Sequence, residues 1–271
     1  MTVTITLLIL SIIISGLIYY FTNAYMLWYL FFIPIISIPM VFILLFLIML
    51  IVLFFISLFF NMNKPNNKPS KFALFFVNNI NYLLCILARV KIKVNNKDLM
   101  PNEDVIIVTN HISNFDPMVV MKTYHYKKIY CITKYGNLKI PLCGPYIYKA
   151  GFIPINRENP IEGVKAIKKA VSYLDNKIGS IYICPEGTRS KDGKLHEFHP
   201  GSFKLASWSN KPIVVISVKN TNMIHKNFPF KRTNVKLNVL KVITYDEYKD
   251  MTTVEISEMV YNLIKQDLER N

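Results

Sequence analysis

From Met1 to Asn63 the chain carries no Asp, Glu, Lys or Arg, and two long apolar runs stand out in that stretch. The run from Val3 to Phe21 reaches about the 20 apolar residues that cross a bilayer core, and the run from Ile38 to Phe60 slightly exceeds it. Between them Asn23, Tyr25, Trp28, Tyr29 and Pro34 supply a polar break, headgroup-belt aromatics and a helix breaker. Residues 1–63 are therefore expected to form a two-helix membrane hairpin with both ends on one side. A cleaved signal peptide fits less well, because no basic segment precedes the first run and no small-residue cleavage site follows it.

After Lys64 the pattern changes to short runs. Lys71 to Val90 reads as a helix with a broad apolar face, lying in the core or at a membrane surface. "KIKV", "DVIIV", "KIYCIT", "AGFIPI", "SIYIC", "PIVVISV" and "VKLNVLKVIT" read as strands. Helices separate several of them. Asp116 as N-cap and Pro117 at the first helical position predict a helix over "PMVVMKTY". Asn159-Pro160 opens another, with Ile161, Val164, Ile167, Val171 and Leu174 at core spacing and Lys165, Lys168 and Lys169 toward solvent. The last begins near Thr252 with a capping-box pattern and carries Ile256, Met259, Val260, Leu263, Ile264 and Leu268 on one face. Strands alternating with helices predict an α/β fold, a sheet covered on both sides, in a single domain over residues 64–271.

Composition adds a compartment and a surface. Lys64, Lys68 and Lys71 follow the second run, and the bias of cations toward the cytoplasm places residues 64–271 on that side. Cys85, Cys131, Cys143 and Cys184 form no C-x-x-C pair, as expected of reduced thiols in the cytosol. The net charge of +15 comes mostly from scattered lysines. Beside a membrane anchor it implies anionic lipid headgroups and acidic substrates, not nucleic acid.

The candidate chemistry lies where the strands end. In "NHISNFD", His111 and Asp116 are the base and orienting halves of a triad, the carboxylate holding one ring nitrogen while the other takes a proton. No G-x-S-x-G elbow supplies a nucleophile, so the nucleophile is expected to be a substrate hydroxyl. "GFIPINR" ends in Arg157, and "PEGTRS" carries Glu186, Gly187, Thr188 and Arg189. The arginines offer planar forks for phosphate, and the glycine lets backbone approach a ligand. His196 and His199 of "HEFH" have a zinc-compatible spacing without an evident third ligand, so no metal is expected. Cys143 and Cys184 read as apolar wall residues and "KDGK" as a turn.

These blocks, with "KPIVVISV" as a fourth, resemble in order and spacing those of the lysophosphatidic acid acyltransferase family, the 1-acylglycerol-3-phosphate O-acyltransferases. The likeness covers roughly Val90 to Asn220. Asn95 and Asn96 replace a glycine common before the first block, and "PINR" replaces a commoner isoleucine-aspartate ending. The resemblance implies a glycerolipid acyltransferase-type mixed sheet flanked by helices, and a membrane enzyme moving an acyl group from a thioester to a lysophospholipid hydroxyl. Acyl-CoA or acyl carrier protein would be co-substrate, with no further cofactor. It puts His111 and Asp116 in catalysis, with Lys134 as candidate donor to the oxyanion and backbone amides as its rival. Arg157 and Arg189 would hold the acceptor's phosphate, Glu186 would orient Arg189 or an acceptor hydroxyl, and Gly187 and Thr188 complete the third block. Glycerol 3-phosphate or another lysophospholipid is the alternative acceptor, and a lipid-binding scaffold the alternative without turnover.

Overall fold

A computed structural model describes all residues except 1, 24, 26–31, 63–65, 67, 157–158, 191 and 271. The helices are α1 (Thr2–Phe21), α2 (Ile33–Leu58), α3 (Lys71–Leu87), α4 (Phe115–Thr123), α5 (Cys143–Lys149), α6 (Pro160–Asp175), α7 (Lys204–Ser209), α8 (Ile224–Asn227), α9 (Tyr245–Tyr248) and α10 (Thr253–Glu269). The strands are β1 (Val90–Asn95), β2 (Ile106–Thr109), β3 (Ile129–Lys134), β4 (Ile153–Ile155), β5 (Ser180–Ile183), β6 (Ile213–Lys219) and β7 (Thr233–Ile243). Each of the seven runs read as strands from the sequence holds one of them.

They form one sheet in the order β1-β7-β6-β2-β5-β3-β4. Neighbours are parallel except β6 and β7. β2 and β5 are buried at every residue and β6 at all but its last, as parallel strands covered on both faces must be. β1 and β7 alternate instead, so one of their faces meets water. Lys91 and Lys93 project from β1, where charge discourages a further strand from adding to the sheet edge.

α6 packs on β4 and β5, α10 on β6 and β7, and α3 across α4 and α5. α10 begins with the expected capping box, Thr252 Oγ1 accepting from the backbone N–H of Glu255, and buries Ile256, Val260 and Ile264. α6 keeps most of its expected face, with Ile167 and Leu174 buried and Val164 and Val171 half-buried, but its first turn departs from it. Ile161 is 69% exposed, whereas Ala166, Ile167, Ala170, Tyr173 and Leu174 are buried. The two alanines set the contact, because a side chain that ends at Cβ lets a helix close on a sheet.

α1 and α2 lie against each other and show most of their surface outward. Both are long and apolar enough to cross a membrane. Their few buried positions include Ser11, Ser15 and Ser57, small residues of the kind that bring membrane helices close. Pro34 does not separate the helices as expected. It stands in the first turn of α2, where its missing N–H costs no intrahelical bond. Trp28 and Tyr29 lie outside the described residues. Both ends of the pair meet the α/β body: Asn79 of α3 accepts from Thr2 Oγ1 and Val3 N, each at 3.4 Å, and Tyr146 of α5 donates to the Leu53 carbonyl at 2.9 Å.

Candidate active site

β2, β5, β3 and β4 run parallel, so their carboxyl ends open on one edge of the sheet, where α/β folds place their sites. The loops after β2 and β5 are neighbours there. The first carries His111 and Asp116, the second Glu186 to Arg189.

Asp116 is not the N-cap of its helix. It lies one residue inside α4, and Asn114 holds the cap position without a side-chain bond. The Asp116 carboxylate turns back over the preceding loop. Its Oδ2 accepts from His111 Nδ1 at 2.8 Å, from the Ile112 N–H at 2.8 Å and from the Ser113 N–H at 2.7 Å. Its Oδ1 accepts from the hydroxyl of Thr221, just beyond β6. The Asp116 side chain is wholly buried, and the imidazole keeps 18% of its surface exposed. With Nδ1 engaged, Nε2 is the nitrogen left for a ligand.

Burial works to lower the imidazole pKa, but hydrogen bonds to Asp116 and Cys184 outweigh it and push the value up to about 10. The ring is thus a stronger base than a free histidine but holds its proton at neutral pH, so only the deprotonated fraction can take a proton from a ligand. The pairing contributes fully to stability below about pH 6.5 and is lost as pH rises through the raised value.

Glu186 differs from expectation. Its carboxylate is 3% exposed. One oxygen accepts from the backbone N–H of His111 at 2.5 Å, the other from that of His196 at 3.0 Å. It makes no ion pair with Arg189 among the described residues. Glu186 therefore clamps the His111 loop to the segment after β5. Burial raises its pKa, opposed by the two N–H bonds. Gly187 is buried at φ 73, a left-handed turn that brings its N–H onto the Cys184 carbonyl at 3.1 Å. The same segment returns to the first loop through the Ser190 N–H, bonded to the His111 carbonyl at 2.8 Å.

Thr188 and Arg189 are exposed at the open edge. Lys134 ends β3, exposed, two strands from β2 and so about 10 Å away across the sheet. Arg157 lies outside the described residues. The His196 ring bonds Asp192 at 3.1 Å and His199 is exposed. Among the described residues no three His, Cys, Asp or Glu side chains are grouped to hold a metal.

Sequence reasoning missed three contributors. Thr221 was one, though a polar residue just past an apolar strand is the available signal. Asn110 was another: its side chain exchanges two hydrogen bonds with the backbone of Val218, at 2.9 and 2.8 Å, and fixes the His111 loop to β6. Cys184, read as apolar wall, belongs to a polar row with Thr109 and Tyr182, whose hydroxyls are 2.6 Å apart and lie 3.4 and 3.3 Å from its sulfur. The alternation of "SIYIC" puts Tyr182 and Cys184 on one side of the chain, which was the legible clue.

Residues 91–219 match the acyltransferase family. The 1-acyl-sn-glycerol-3-phosphate acyltransferase of Borreliella burgdorferi is 29% identical over 186 residues, which cover 65% of this chain and 73% of that protein. The chloroplastic 1-acyl-sn-glycerol-3-phosphate acyltransferase LPAT1 of Arabidopsis thaliana is 32% identical over 136 residues, 49% of this chain and 37% of that protein. The chain spans under half the length of the Arabidopsis relative and of several other curated 1-acyl-sn-glycerol-3-phosphate acyltransferases that it matches. The crystal structure of the 1-acyl-sn-glycerophosphate acyltransferase PlsC from Thermotoga maritima shares the fold, with a TM-score of 0.61 at 22% identity over 81% of this chain and 86% of that one.

The clamp geometry of Glu186 has a direct consequence. Glu186→Gln turns an N–H donor toward one of the two backbone N–H groups, so unfolding in detergent should be easier by about 1–3 kcal/mol, the cost of a buried donor left unsatisfied. A carboxylate whose business is with a ligand at the open edge would change stability by no more than about 0.5 kcal/mol.

Proposed function

We propose that the chain, whose residues 91–219 match the acyltransferase family, moves a fatty acyl group from an acyl thioester to the sn-2 hydroxyl of 1-acylglycerol 3-phosphate, giving phosphatidic acid. The observation that carries the reading is the 2.8 Å bond between His111 Nδ1 and a fully buried Asp116 carboxylate, at the strand edge where the two loops meet.

In the reaction, the neutral form of the His111 ring takes the proton of the acceptor hydroxyl on Nε2 as the oxygen attacks the thioester carbonyl, so turnover rises with pH toward the raised His111 value. Asp116 holds the other nitrogen and stabilises the imidazolium that forms. The tetrahedral intermediate collapses with loss of thiolate, which takes the proton back from Nε2, so no charge remains on the enzyme. Lys134 or backbone amides of the two loops stabilise the oxyanion. Arg189 and Arg157 hold the phosphate, and Thr188 lines the approach to it. Glu186 and Gly187 serve by shaping the loop that presents Arg189.

Residues 1–63 attach the enzyme to the membrane and residues 64–271 form the catalytic domain, on the cytoplasmic side by the lysines that follow α2. A water-insoluble acceptor explains the attachment. The donor is acyl-CoA or acyl carrier protein, both thioesters and so equivalent for this chemistry.

The test is purified full-length protein in detergent, given each donor against lysophosphatidic acid, other lysophospholipids and glycerol 3-phosphate, with products resolved by mass. Phosphatidic acid should dominate, and His111→Ala should lower its formation at least about a hundredfold. Product from another acceptor alone would move the assignment to that lipid, and no product from any would end the enzymatic reading. In the same assay Arg189→Lys should raise the acceptor's Michaelis constant about tenfold and leave the donor's unchanged, since the charge stays and the planar fork is lost. Equal losses on an acceptor analogue without phosphate would show that Arg189 supports the loop instead.

A further inference from the structure

The loop between β6 and β7 starts in the active site and ends in an exposed aromatic finger. Thr221, which bonds Asp116, stands at its beginning, α8 follows, and Phe228-Pro229-Phe230 comes before β7. Phe228 is 53% exposed and Phe230 84%. β7 pairs antiparallel with β6, Lys219 opposite Lys236, and β1 pairs parallel with β7, Val90 opposite Thr233. The starts of β7 and β1 therefore lie on the same sheet edge as the ends of β2 and β6. The finger shares that edge with His111.

Two neighbours extend the patch. The Phe230 carbonyl accepts from Arg89 Nη1 at 2.7 Å, and Arg89 follows the last turn of α3, where Leu84, Ile86 and Leu87 are exposed. On α3, Ile86 falls on the same side as Phe72 and Phe75, which are exposed too and lie toward the end where Phe72 meets Tyr146, the residue bonded to Leu53 of α2. An apolar band thus runs from the apolar helix pair along α3 to the finger. Arg89, Lys226, Lys231 and Arg232 surround its far end, exposed and in no ion pair among the described residues.

We propose that the Phe228–Phe230 finger and the exposed end of α3 form a second membrane contact, in which the aromatic rings enter the interface of an anionic bilayer and the four cations meet its headgroups. A lipid surface fits because the band is continuous with helices long and apolar enough to span a membrane, and because apolar tips ringed by unpaired cations match an apolar layer beneath anionic groups. The helix pair and the finger would then hold the sheet edge against the membrane from two sides, with His111 between them. An acceptor could pass from bilayer to Nε2 without crossing water.

The test places a single tryptophan in full-length protein whose two native tryptophans have been replaced by Phe (Trp28→Phe, Trp208→Phe), reconstituted in vesicles containing nitroxide-labelled lipid. At Phe230→Trp the emission should be quenched, and more strongly in phosphatidylcholine mixed with phosphatidylglycerol than in phosphatidylcholine alone. At Tyr126→Trp, exposed on the opposite sheet edge, it should not be. Replacing Lys226, Lys231 and Arg232 by Gln should abolish the difference between the two lipid mixtures. Quenching at 230 no stronger than at 126 would overturn the proposal. As a second readout, Phe228→Ser with Phe230→Ser should cut turnover of vesicle-borne acceptor about fivefold while sparing a water-soluble short-chain acceptor. Equal loss on both acceptors would also overturn it. The fluorescence needs no turnover, so an inactive protein with a quenched residue 230 would keep the contact and remove only the reading of the reaction.

Discussion

A carboxylate with none of its surface in water is the constraint on which this structure turns. Leaving Asp116 buried and ionised without partners would cost several kcal/mol. Four donors offset that cost, and they come from two parts of the chain: the imidazole of His111 and the backbone N–H groups of Ile112 and Ser113 in the loop after β2, and the hydroxyl of Thr221 after β6. Satisfying one charge thus fixes the loop, the first turn of α4 and the end of β6 together. The raised pKa of His111 follows from the same charge.

Glu186 repeats the device one strand away. Its two oxygens bind backbone N–H groups on either side, so the loop after β5 is tied to the loop after β2 by a second buried carboxylate. Asn110 does the same toward β6 without charge. Side-chain acceptors hold the open edge because a strand's own hydrogen bonds stop where the strand stops. The result is an imidazole held in place at the open edge of the sheet.

Much of the fold was legible because long apolar runs and sharp polar breaks carry it. All seven strands and the longer helices stand out in the hydrophobic pattern. The short helices α5, α7, α8 and α9 do not, since four to seven residues give too little periodicity to read. The order of the strands is invisible to any local pattern. On α6, counting apolar residues favoured Ile161, but the close approach permitted by Ala166 and Ala170 decided the buried face. In the site, residue types were legible and directions were not. Asp116 was found, but its position before Pro117 suggested a cap, whereas the carboxylate faces back into the loop. Glu186 stands beside Arg189 in sequence, yet burial turns it to the backbone. Thr221 lies 105 residues from the aspartate it serves, beyond the reach of any spacing rule.

The measurement that bears most directly on this constraint is the titration of the His111 ring by NMR, in full-length protein labelled with ¹⁵N-histidine and identified by the signal lost in His111→Gln. The buried carboxylate requires the ring to titrate well above the ordinary histidine value of about 6.5. It requires that value to fall by about one unit or more in Asp116→Asn, with the fold intact. A ring that titrates at or below about 6.5, or that ignores the loss of the carboxylate's charge, would contradict the account of Asp116 as the charge that organises the site.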